Sequence, residues 1–437
     1  MLLVYTHKVT PRLTYTFKHF FTRILQVQVE FTSKVEKFVA HNDLKLTYAK
    51  HPLGNEFFIK SEDLLFEQGI NDIEIKIGDW EGVPCFFQNK QHTIIPFDVF
   101  AASFYLLSRY EEYLPHLKDT YGRFSAEESL AFKHKFLEKP LIDVWAYKFR
   151  DLLQDKFENF EFKQRKFEYI STIDVDVAYC YKHKGVVRSI GGFAKDLIKL
   201  DIKSIWLRTM VIMGFRRDPF DTFDELITLQ NTYNIKTIFF FLVSEYTTYD
   251  KNTSSRNSKY RSLIKSIADY CKVGLHPSYF SMNNDMKLQK EKKRLEEITN
   301  SPVQLSRQHY LRLALPDTYQ QLIGLEITED YTMGYAQHYG FRASTCTPFY
   351  FYDLDYEIQT PLKIFPFAVM DVTLKDYLGL SYKRSYAVIS KLAKEVQNVN
   401  GTFITLFHNE TLSNKGKWVR WKKLYVDMFK QISTFNK

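Results

Sequence analysis

The chain has few cysteines and no long apolar run. Its four cysteines, Cys85, Cys180, Cys271 and Cys346, are scattered over 437 residues, with no CxxC pair and no metal-knuckle spacing. That excludes a cysteine-ligated zinc module and reads as reduced thiols in a reducing compartment. No segment reaches 18 uninterrupted apolar residues, so no membrane-spanning helix is expected. The start, MLLVYTHKVTPRLTY, has only a short apolar run before His7 and Lys8. No secretory signal is visible in it, and the expected location is the cytoplasm. Internal repeats and low-complexity tracts are also missing. No RNA- or DNA-binding signature accompanies the basic charge, so nucleic acid is not an expected partner.

What is present is a globular composition, 45% hydrophobic and 25% charged, in a chain long enough for two or three domains. Aromatics are abundant, with 38 Phe and 29 Tyr. Most suit a core, but a groove lined with Tyr and Trp also holds sugar faces. Lys and Arg number 60 against 51 Asp and Glu, a net charge of +9. A solvated lysine-rich surface accounts for that, as does attraction to an anionic glycan or membrane surface.

The texture changes near residue 160. Before it, short alternating runs such as EIKIGDW and HTIIPFDVF sit beside helical patterns over 96–114 and 139–157. Residues 1–160 read as a smaller mixed α/β domain. From 165 to 437, strand candidates alternate with helix candidates, which argues for a parallel sheet, open or closed into a barrel. The strand candidates include FEYISTIDVD, KTIFFFLVSE, CKVGLHPSY, PVQLSRQHYLR, YTMGY, LKIFPFAVMD and TFITLFHNE. Several carry polar residues at their C-terminal ends: Asp174, Asp176, Glu245, His276, Asp371 and His408. Active sites of α/β sheets form at that rim. Between the first two strands lies an insertion, 182–217, rich in Lys, Arg and large apolar residues. It reads as a lid or helical pair on the rim, or as a peripheral membrane contact.

In TIDVD, Asp174 and Asp176 are two apart and share a strand face. Two bare carboxylates there repel each other, and a divalent cation removes the conflict. His276 and His309 are natural partner ligands, giving an Asp-plus-two-His site with an open position. Arg307 and His309, also two apart, are expected to share a face. The Arg can fork onto Asp174, and His309 can reach the metal.

TIDVD, HPSYF, RQH and LFH, in this order, resemble the motifs of the NodB-type polysaccharide deacetylases, carbohydrate esterases built on a distorted (β/α) barrel. The resemblance implies Asp174 as base and Asp176 as metal ligand, with the two roles open to exchange. It implies His276 as a metal ligand, Arg307 as the brace of the base, His408 as the acid and Asp371 as its orienting carboxylate. The family's second metal His falls at Phe280, and His309 is expected to replace it; the competing reading is a degenerate site that holds no metal. More narrowly, PFDVFAASFYLLSRYEEYL, GLHPSY, SRQHYLR and MGYAQHYGFRAST resemble a bacterial subgroup with an extra N-terminal domain of unassigned function.

Three functions stay open on these residues. One is a metal-dependent hydrolase, Zn2+ being the expected ion, that removes an acetyl group from an N-acetylated sugar or glycan precursor. The second is a retired barrel that binds carbohydrate or serves assembly. The third is a hydrolase of another C–N amide bond. Oligomeric state is not readable.

Overall fold

The computed structural model describes residues 1–89 and 94–435. The alternating run that begins at His92 therefore starts outside the described residues. A first, parallel sheet holds β1 (Leu2–Tyr5), β2 (Val29–Thr32), β3 (Lys45–Ala49) and β4 (Phe58–Lys60), in the order β2-β1-β3-β4. A short antiparallel pair follows, β5 (Gly78–Trp80) with β6 (Val83–Cys85). The second sheet has nine strands: β7 (Glu168–Val175), β8 (Lys236–Phe241), β9 (Lys272–Leu275), β10 (Leu305–Ser306), β11 (Glu329–Asp330), β12 (Phe349–Asp353), β13 (Ile358–Ile364), β14 (Val369–Met370) and β15 (Thr402–His408). Its order is β12-β13-β11-β10-β9-β8-β7-β15-β14, and only the β12–β13 pair is antiparallel. The chain is thus a mixed α/β fold.

The nine-stranded sheet is curled. Four residues, 365–368, join β13 to β14, which stand seven places apart in the strand order. A flat sheet would separate them by roughly 34 Å at normal strand spacing. The linking residues reach at most ~17 Å. Two consecutive amides bridge the gap: Phe367 N donates to Met333 O beside β11, and Ala368 N donates to Ile404 O on β15. No ladder joins β14 to β12 among the described residues, so the expected closed barrel is seen only as this curled, unclosed sheet.

Strand alternation sorts side chains between the two faces of the curl. Ile170, Ile238, Phe240, Ile404 and Leu406 pack inside it with Tyr331 and Phe367. Tyr169, Phe239, Phe241, Phe403 and Phe407 point outward into the main core, under helices such as Tyr382–Asn398 and Trp421–Ile432. Asp174 and His408 continue the inward series of β7 and β15. They reach the C-terminal rim, where the inside of the curl opens.

Several strand expectations shrink. YTMGY is not a strand, because β11 stops at Asp330. That buried carboxylate accepts from Thr332 N (2.9 Å), Thr332 Oγ1 (2.8 Å) and Ser306 Oγ (2.8 Å), which turns the chain. The helix expected over 96–114 runs only from Val99 to Leu107. Asp98 caps it, accepting from Phe100 N and Ala101 N at 3.0 and 2.9 Å. It ends where Arg109 turns left-handed, φ 55°.

That turn buries a charged cluster linking the N-terminal part to the second half. Arg109 Nε donates to Glu112 Oε1 at 2.8 Å, and Arg342 donates to both Glu112 oxygens at 2.9 and 2.6 Å. Burial alone would raise the Glu112 carboxyl, but Arg342 and Arg109 overrule it and hold it at about 2, against the usual 4.5. A lowered folded-state pKa means stability that is present above about pH 4.5 and lost as pH falls towards 2. Glu112→Gln is expected to cost ~3–5 kcal/mol at pH 7, because buried Arg342 loses its carboxylate partner and Arg109 is left with the Glu111 carboxylate alone. Urea unfolding checks this, and the gap between variant and parent should narrow near pH 3.

Candidate metal centre

Because the strands run parallel, their C-terminal ends supply one rim. Following the strand order, β14 is succeeded at once by Asp371, β15 ends on His408, and β7 carries Asp174 with Asp176 just past its end. His276 follows β9, and Arg307 follows β10. Together with Gln308, Tyr310 and Tyr377, four of these groups (Asp174, Asp176, His276 and His408) and His309 line a pocket of ≈ 330 Å³.

One ligand atom each from Asp176, His276 and His309 lies within 4.8 Å of the others. His276 Nε2 is 3.2 Å from Asp176 Oδ1, and His309 Nε2 is 3.5 Å from Asp176 Oδ2. The opposite ring nitrogens are already engaged. His276 Nδ1 donates to Arg307 O at 2.5 Å, and His309 Nδ1 donates to Asp250 Oδ1 at 2.8 Å. A carbonyl and a carboxylate cannot donate, so in each neutral ring the Nε2 lone pair faces Asp176. This is the second-sphere arrangement of metal-bound histidines. Asp176 Oδ1 is buried and makes no hydrogen bond. A divalent cation fits this donor set of two imidazoles and one carboxylate.

Protons are the other cations that can settle here. Burial pushes His309 down, yet Asp176 and Asp250 overrule it and hold the ring up at about 9. Burial likewise lowers His408, but Asp371, with Asp176 and Asp174, raises it to about 10. Burial works to raise Asp176, and the His309 charge with the surrounding histidines holds it well below the usual carboxylate range.

Asp174 sits on the inner side, 2% exposed. Arg307 Nη1 donates to its Oδ1 at 2.9 Å and to Thr172 Oγ1 at 2.6 Å. The fully buried guanidinium fills the inside of the curled sheet, lying 4.7 Å from the Phe240 ring centre. His408 Nδ1 donates to Asp371 Oδ1 at 2.9 Å. Asp371 Oδ2 also accepts from His408 N (2.8 Å) and Thr411 Oγ1 (2.6 Å), so this carboxylate is fixed before it fixes the ring. His408 Nε2 is left 3.9 Å from Asp176 Oδ2.

Some expectations change. Arg307 and His309 do not share a strand face, because β10 ends at Ser306 and His309 opens a short 3-10 turn, His309–Leu311. Positive φ at Tyr310 (60°) and Leu311 (54°) bends the chain there. Arg307 therefore enters the inside of the curl while His309 faces the pocket. Phe280 turns away, 45% exposed and edge-on to Tyr249. Glu245 is not at the site; it pairs with Arg294 at 2.8 Å on the surface. Of the tyrosines flanking the motifs, Tyr310 lines the pocket, Tyr279 stacks on Tyr249 at 3.9 Å, and Tyr335 is buried beside Arg109.

Sequence reasoning missed Asp250, which lies in a loop with no periodic pattern. It also missed Arg123, which comes from the N-terminal part. Arg123 pairs with Asp119 (2.6 Å), donates to Tyr310 O (2.8 Å) and forms part of the pocket wall. No signal short of the fold links residue 123 to residue 310.

The geometry thus defines a mixed α/β protein with a candidate Asp–His–His metal centre at a strand rim. Residues 2–158 match the model of a family of unknown function (DUF7033). No curated protein matches the chain. Among solved structures, the chain is similar to a Mycobacterium smegmatis protein assigned as a polysaccharide deacetylase, at 13% identity and TM-score 0.40, over 63% of this chain and 92% of that one. It is similar to a polysaccharide deacetylase from Bacillus cereus at 12% identity and TM-score 0.29, over 61% and 88%. A CE4 family pseudoenzyme from Bacillus anthracis matches at 12% identity and TM-score 0.29, over 62% of this chain and 63% of that one. At these identities and TM-scores the likenesses transfer no function.

Asp250→Ala frees His309 Nδ1 and lets the ring turn. Its expected effect is a ~10–100-fold loss of zinc affinity, measured by competition with a chromogenic chelator.

Proposed function

We propose that this chain is a metal-dependent hydrolase that removes an acetyl group from an N-acetylated sugar or glycan precursor. The observation that carries the reading is the company kept by Asp176. Two Nε2 lone pairs face it, its Oδ1 is orphaned, and the Asp174–Arg307 and His408–Asp371 pairs flank it in one pocket. Asp176, His276 and His309 would hold the ion, with Zn2+ best matching the donor set. The cation would supply Lewis acidity towards an acyl oxygen and towards water.

The chain's own residues divide the remaining work. Arg307 positions Asp174 from inside the curled sheet through a charge-assisted hydrogen bond. Asp174 takes a proton from the attacking water. Asp371 fixes His408 so that its Nε2 proton points into the pocket. That proton passes to the departing nitrogen, which cannot leave as an amide anion. Tyr249, Tyr310 and Tyr377 line the pocket beside Met370 and Leu406 and would give a pyranose aromatic surface to pack on. On this reading the curled sheet is the distorted barrel of the NodB type spanning 165–437, and 1–160 is an N-terminal domain packed against it that lends Arg123 to the pocket wall.

Elemental analysis of the purified chain, incubated with zinc and desalted, tests the centre. One divalent ion per chain is expected, falling towards zero in Asp176→Ala and in His309→Ala. A parent chain that refuses the ion would favour the retired, carbohydrate-binding reading instead.

His408→Gln is expected to lower kcat on an N-acetyl sugar by ~10²–10⁴-fold, with a much smaller loss on an activated acetyl ester whose leaving group needs no proton. Equal losses on both substrates would take the acid role from His408.

A further inference from the structure

The insertion between β7 and β8 forms a helical hairpin, Val186–Ile198 and Ile202–Ile212, built inside out. A helix packed on a globular body normally buries its apolar stripe and exposes its charges. Here the first helix buries no residue at all. Val186, Ile190 and Leu197 fall on one side by helical spacing, with Val187 and Ile198 beside them, and all five are exposed, Val187 by 84% and Ile198 by 83%. Of the 27 large hydrophobic side chains exposed among the described residues, 11 fall between Val186 and Phe215. The patch is therefore local rather than a scatter of single residues.

The polar side of the hairpin is what holds it to the body. Arg188 donates to Asn252 O (2.9 Å) and Lys251 O (3.0 Å) and lies over the Tyr246 ring. Arg208 pairs with Asp196 across the two helices at 2.7 Å. Asp218 accepts from the backbone of Cys180, Tyr181 and Lys182, tying the start of the insertion to its end. The hairpin is thus fixed in place with its apolar side turned to solvent.

Charge decides what covers that side. Residues 182–217 hold nine Lys and Arg and two Asp, a net +7 out of +9 for the whole chain. A second copy seated on the same face would bring two such segments together and be repelled. We infer that 182–217 is the contact of this protein with an anionic lipid bilayer surface. The apolar side chains enter the interfacial zone while Lys195, Lys199 and Lys203 extend their ammonium groups to the headgroups. Lys251, held by Arg188, also lines the pocket, so bilayer contact sets the pocket mouth close to the membrane. The inference does not depend on the hydrolase reading, since its test reads binding alone.

Sedimentation of the full chain with vesicles provides that test. At 0.1 M salt, vesicles of equal phosphatidylglycerol and phosphatidylcholine are expected to bind at least about tenfold more tightly than phosphatidylcholine alone. The pair Ile190→Asp and Ile198→Asp is expected to weaken binding to the anionic vesicles by about tenfold or more. Lys195→Glu, Lys199→Glu and Lys203→Glu together are expected to abolish the preference for anionic lipid. All five side chains are solvent-facing, so the fold stays intact, which circular dichroism checks. Failure of the parent chain to bind anionic vesicles would overturn the inference, as would variants that bind like the parent. So would light scattering that finds a dimer split by the isoleucine pair, because the face would then belong to a second copy.

Discussion

Two carboxylates crowd one strand end, and the surroundings make that tolerable. Asp174 and Asp176 sit at the mouth of a curled sheet, where neither can be fully hydrated. Arg307 answers for the inner one, through a fully buried guanidinium. His276 and His309 face the outer one, and together the three side chains could hold a metal ion. Remove either partner set and the rim carries an uncompensated negative charge in a low-dielectric site, which costs several kcal/mol.

The curl of the sheet sets those distances. Parallel strands deliver Asp371, His408, Asp174, Asp176, His276 and Arg307 to one rim, but a flat sheet would spread them in a row. The four-residue link from β13 to β14 bends the row, so that Arg307 lies beneath Asp174. Phe240, Tyr331 and Phe367 form the apolar wall around that guanidinium. The inside of the curl is consequently filled with packed side chains, and a pocket opens at the rim.

Beyond the rim, the first 160 residues are part of the same packed body. Their apolar side chains join the main core, Glu112 shares its charge with Arg342, and Asp143 accepts from Arg165, Thr345 and Thr347. Arg123 then stands in the pocket wall as a consequence of that packing. The hairpin at 182–217 follows the opposite logic. Polar contacts tie it to the body, and although Val211 is buried, 11 of its large apolar side chains are exposed.

Alternation in TIDVD already put Asp174 and Asp176 on one side of the chain, because side-chain direction in a strand has period two whatever surrounds it. The strand–helix rhythm after residue 165 likewise implied a parallel sheet, hence a common rim for polar residues far apart in sequence. Position in space was another matter. His309 arrives through a 3-10 turn with left-handed residues, Asp250 through a loop without pattern, and Arg123 across 187 residues of chain. Local spacing could not disclose these, since they depend on how the sheet curls and on what packs against it. The amino-acid sequence by itself determined which side chains face the same way along a strand. Only the tertiary structure decided which of them meet, because meeting requires closing long loops, and the energy for that comes from the whole core.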